Sequence, residues 1–87
     1  MRTQYIKVMN NLFHERHSHY RDVMGISQEE MAHYLAMGCR NYVYLDHGKK
    51  GCSALTLVRF LIYICDNPIC FLKELKSEFD QIDQSAA

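Results

Sequence analysis

Two groups of residues in this 87-residue chain carry side chains able to do chemistry. The first is the run His14 to His19, HERHSH, which with Cys39, Cys52, Cys65 and Cys70 supplies imidazoles and thiols that could ligate a metal. A zinc site needs donors spaced so that they converge on one tetrahedron, commonly through a close Cys-x-x-Cys pair. The histidine spacing H-x-x-H-x-H matches no such pattern, and no Cys-x-x-Cys occurs. On a helix His14 and His17 share a face that His19 does not. No metal and no cofactor are therefore expected. Nor is catalysis: the chain has no glycine-rich phosphate loop and no nucleophile motif, so it reads as a non-enzyme.

The second group is Arg40, Asp46, Lys49 and Lys50, inside SQEEMAHYLAMGCRNYVYLDHGKKG, Ser27 to Gly51. Guanidinium and ammonium groups can hold phosphates. The totals do not announce such a role, because ten basic residues balance ten acidic ones. The distribution says more. Residues 36–52 hold three cations against Asp46 alone, whereas residues 67–87 are acidic.

Which elements would position these groups? Apolar residues at 48% and charged residues at 23% describe an ordinary folded chain, and the length is that of one domain. The most apolar run, Leu57 to Cys65, contains Arg59 and is far too short to span a membrane. The N-terminus lacks the apolar core and cleavage site of a signal peptide, so a cytoplasmic location with reduced, buried thiols is expected.

One proline, four glycines and no alternating hairpin pattern argue for helices throughout. A first helix is predicted over about Thr3 to Met24, with a possible break in its histidine-rich middle and Gly25 just past its end. Ser27 caps a second helix, with Glu30 completing a capping box. A third runs from Cys39 to His47, with Tyr42 and Leu45 on its inner side. A fourth is capped by Ser53, runs to about Cys65, and is apolar on most sides, hence expected to be central. Asn67-Pro68 starts a fifth that carries Phe71, Leu75 and Phe79, with residues 85–87 frayed.

Two short helices joined by a three-residue turn at Ala36–Gly38 form a helix-turn-helix. On the run GISQEEMAHYLAMG followed by CRNYVYLDHGKK, the sequence resembles the Cro/lambda-repressor-like (XRE) family of DNA-binding domains, over about Phe13 to Leu72. It departs from the family pattern at Ala36, Gly38 and Tyr42, which replace a glycine, a Ser/Thr cap and a branched aliphatic anchor. The resemblance implies an all-α, five-helix lambda-repressor-like domain with its helix-turn-helix at about 28–47 and an extended first helix. The whole chain, 1–87, would be one domain: a helical extension at 1–11, a core at 12–66, and a C-terminal helix at 67–84 serving as dimer contact.

The resemblance further implies a sequence-specific transcriptional regulator that binds double-stranded DNA as a homodimer. Helix 39–47 would lie in the major groove, reading half-sites roughly 34 Å apart. Cys39, Arg40, Val43 and Tyr44 would then face the bases, Arg40 matching the O6 and N7 of guanine. Gln28, Asn41, Lys49, Lys50 and Gly51 would hold phosphates. Arg21 and Asp46 would pair to lock the first helix to the third. The alternative is a non-catalytic protein-interaction or antitoxin-like subunit that uses the same fold to hold a protein partner.

Overall fold

A computed structural model of the protein describes residues 2–86, and every regular element among them is helical. The helices are α1 (Arg2–Met24), α2 (Gln28–Tyr34), α3 (Cys39–Asp46), α4 (Ala54–Arg59) and α5 (Pro68–Ala86); a π-helical turn, Phe60–Ile64, continues α4. No helix among the described residues is long and apolar enough to cross a membrane.

Local chemistry explains the boundaries. Ser27 Oγ accepts from Glu30 N at 3.1 Å and Ser53 Oγ accepts from Thr56 N at 3.2 Å, each satisfying an otherwise unpaired amide at a helix start. Asn67 Oδ1 does the same for Cys70 N at 3.0 Å, with Pro68 in the first helical position. Gly38 precedes α3 in an extended conformation and offers no side-chain cap. Gly48 closes α3 at φ 72°, a left-handed conformation that glycine adopts freely.

Three sequence expectations need correction. First, α1 runs without a break through its histidine-rich middle. Phe13 and His17 are both buried there, and that tertiary packing outweighs mediocre helix propensity. Second, the fourth helix is neither uniform nor buried all round. It widens at Phe60, where Cys65 N donates to Phe60 O at 2.9 Å. Only Thr56, Phe60 and Ile64 are fully buried, while Leu55 is 61% and Ile62 65% exposed. Third, residues 85 and 86 continue α5, and Ala87 lies outside the described residues.

The core gathers residues from α1, α2, α3, α5 and the π-helical turn. Phe13, Met31, Leu35, Tyr42, Leu45, Phe60, Phe71 and Leu75 are all buried. Phe60 is the hub: its ring stands edge-on to Phe13 at 5.2 Å and to Phe71 at 5.5 Å, a favoured aromatic geometry. Phe71 and Leu75 extend the core beyond the 12–66 span expected from sequence, because α5 packs along α1. Tyr5 and Phe79 meet edge-on at 5.1 Å, the Tyr5 hydroxyl donates to Asp83, and Arg16 pairs with Glu74. The apolar side of α5 is thus largely covered by the extended first helix of its own chain.

Candidate nucleic-acid interface

The segment singled out by sequence folds as two short helices, α2 and α3, joined by the turn Leu35–Gly38. The turn closes through Met37 N donating to Ala32 O at 3.0 Å. Ala36 sits at φ 55°, the left-handed region that penalises a side chain with Cβ. The end of α2 receives help from outside: Arg59 Nε donates to Tyr34 O at 2.8 Å while its guanidinium lies 4.7 Å from the Tyr63 ring centroid.

The two sides of α3 differ sharply. On the inner side Leu45 is buried and Tyr42 is 0% exposed, its ring edge-on to His17 at 5.7 Å. The Tyr42 hydroxyl has no hydrogen-bond partner among the described residues. Burial, reinforced by the nearby charge of Asp46, pushes its pKa well above the ordinary tyrosine value.

Asp46 is the hub of a small polar network at the end of α3. Gln28 Nε2 donates to Asp46 Oδ2 at 2.9 Å, His17 Nε2 lies 3.3 Å from Oδ1, and Arg21 Nη2 stands 3.8 Å from Oδ2. An acid in the last turn of a helix faces the negative end of the macrodipole, so donors must compensate. Burial raises the Asp46 pKa, but the Gln28 hydrogen bond and the Arg21 and His17 groups more than offset it, leaving it below the usual carboxylate value. His17 is 0% exposed, and its Nδ1 lies 3.2 Å from Phe13 O. Burial lowers its pKa despite the neighbouring carbonyl and carboxylate.

The outer side is open. Cys39, Arg40, Asn41 and Tyr44 are exposed, Tyr44 at 45%, and Val43 is half-buried. Arg40, Val43 and Tyr44 share one face at spacings of three and four. Lys49, Lys50 and Gly51 follow in the exposed turn after α3. Asp46, the one acid of residues 36–52, is turned inward, so the outer surface of that segment carries cations only.

Among the residues read as phosphate contacts, Gln28 stands apart. Its amide donates inside the molecule to Asp46, because the start of α2 crosses the end of α3. The expectation of buried thiols also needs correction: Cys39 and Cys70 are exposed, and Cys52 and Cys65 are half-buried. Burial pushes the Cys52 thiol up, which disfavours a reactive thiolate there.

Sequence reasoning missed three contributors. His17 precedes Arg21 by one helical turn, a spacing that could have flagged both as facing the same carboxylate. Asn10 ties α1 to the turn after α3, accepting from Cys52 N at 3.2 Å. Arg59 braces α2 from a helix 25 residues away in sequence, and nothing local announces it.

The chain matches no protein-family model, no curated protein and no solved structure.

Proposed function

We propose that this chain is a sequence-specific transcriptional regulator: a Cro/lambda-repressor-like domain that binds double-stranded DNA in the cytosol as a homodimer, with α3 in the major groove. The observation that carries the reading is the division of α3. One side is anchored by Tyr42, Leu45 and Asp46, and the other presents Arg40 and Tyr44 to solvent, with the one acid of residues 36–52 turned inward. A helix held that way can enter a groove without rearrangement of the body.

In this reading Arg40 contacts a guanine edge, and Val43, Tyr44 and Cys39 pack against neighbouring bases. Asn41, Lys49, Lys50 and Gly51 hold the backbone without reading sequence. Gln28 contributes chiefly by anchoring Asp46. The neutral total is no obstacle, because DNA senses the local face. Two or three phosphate contacts per subunit, doubled by a dimer, give a salt slope of about −4 to −5. On α5, whose apolar side α1 largely covers, Ile69 and Leu72 stay exposed, and in this reading they form the dimer contact.

The test is selection of bound sequences from a random duplex pool, followed by titration at low and moderate salt. Arg40→Ala is expected to relax preference at one position by about 1–3 kcal/mol, and Lys49→Ala to weaken binding to all sequences alike. Absence of any association at low salt would overturn the reading.

One observation favours a second reading, a non-catalytic, antitoxin-like subunit that holds a partner protein. Leu55, Val58 and Ile62 recur at helical spacing and are all at least half exposed. No measurable association with duplex at low salt would favour it, and sequence-selective duplex binding would remove it.

A further inference from the structure

A half-open cleft of about 220 Å³ lies between α1 and the turn that follows α3. Its floor is apolar, formed by Phe13 and Leu45, and its walls and rim are Asn10, Asn11, His14, Lys49 and Lys50. No carboxylate lines it, although the chain as a whole is neutral. Neither lysine pairs with an acid among the described residues.

Hydrogen bonding fixes what the walls present. Asn10 Oδ1 is occupied as an acceptor, by Cys52 N at 3.2 Å and by Cys52 Sγ at 3.5 Å. That orients the amide, and its Nδ2 group makes no hydrogen bond among the described residues; only donors remain there. His14 Nδ1 is enclosed and likewise without a partner. Gly51 maintains the close approach, since a Cβ at that position would sit 2.7 Å from Asn10 Nδ2. An unpaired amide donor, an imidazole nitrogen that donates in one of its two tautomers, and two lysines with no carboxylate beside them are the chemistry of an anion acceptor.

We propose that this cleft is an oxyanion site, taking a phosphate-type group between Asn10, Asn11 and His14 on one side and Lys49 and Lys50 on the other. It stands whether or not α3 enters a DNA groove. The same chemistry could come from a free phosphate compound or from a phosphate of a nucleic-acid backbone.

The experiment is a titration of the full chain with inorganic phosphate, followed by amide NMR, against sodium chloride at equal ionic strength. Saturable shifts are expected at the Asn10 and Asn11 side-chain amides and at the Gly51 and Cys52 backbone amides. The paired substitution K49M/K50M, on the exposed turn, should weaken that saturation about tenfold or more. Asn11→Ala should weaken it too and serves if the paired variant folds poorly. Shifts no larger than those with chloride, or saturation mapping elsewhere, overturn the proposal. A short duplex then identifies the source. If duplex moves the same amides and phosphate competes, the group is a backbone phosphate; if duplex leaves them still while phosphate moves them, it is a free compound.

Discussion

The inner and outer sides of α3 are built from neighbouring residues and obey opposite rules. Tyr42 and Tyr44, two positions apart, are 0% and 45% exposed. Asp46 accepts from Gln28 and lies beside Arg21 and the His17 ring, whereas Lys49 and Lys50, three and four positions on, have no acidic partner among the described residues. The inner side is therefore specified by packing, and the outer side is left free for a ligand to specify. Substitutions on the first should change stability, and substitutions on the second should change binding alone.

The largest break in that contrast comes from Tyr42. Tyr42→Ala should cost about 3–5 kcal/mol in urea denaturation, the usual range for emptying a buried aromatic site, whereas Tyr44→Ala should stay within about 0.5 kcal/mol. Equal effects would erase the distinction between the two sides. Next is Asp46→Ala, which strands Gln28 and leaves buried donors unanswered; a loss of about 2 kcal/mol is expected.

Acidification probes the same network. The folded pKa of His17 is lowered by burial, so between that value and the unfolded one, about 6.5, the unfolded chain holds a proton that the native chain does not. Stability should therefore fall as pH drops from neutrality through this window. A second loss should follow below about pH 4 as Asp46, whose folded value is depressed, is protonated. In His17→Phe the first loss should shrink and the second remain. A melting temperature as steep against pH in that variant as in the parent would remove His17 from the account.

Smaller effects sharpen the picture. Ala36→Gly should stabilise the turn by about 1 kcal/mol, since glycine relieves the left-handed strain at φ 55° and gives back part of it as chain entropy. Tyr42→Phe removes a hydroxyl with no partner and should be neutral or stabilising by up to about 1 kcal/mol. A clear loss in this variant would show that the hydroxyl does have a partner.

Much of this was legible in the sequence. Ser27, Ser53 and Asn67-Pro68 announced three helix starts and Gly25 and Gly48 two helix ends, because capping is settled within a few residues of chain. The spacing of Tyr42 and Leu45 identified the inner side of α3, and the departure at Ala36 pointed to the one non-glycine residue with positive φ among those described.

Other features could be decided only by the tertiary structure. That Gln28 turns to Asp46, that His17 is buried beneath Tyr42, that Arg59 braces α2 and that α1 covers the apolar side of α5 all depend on how helices distant in sequence cross. Periodicity says which side of a helix is apolar but not which element will cover it, and a charged side chain carries no local mark of its partner. Short-range hydrogen bonding and spacing therefore determined the elements, while the crossings of those elements determined which polar groups are spent inside the molecule and which remain free to bind.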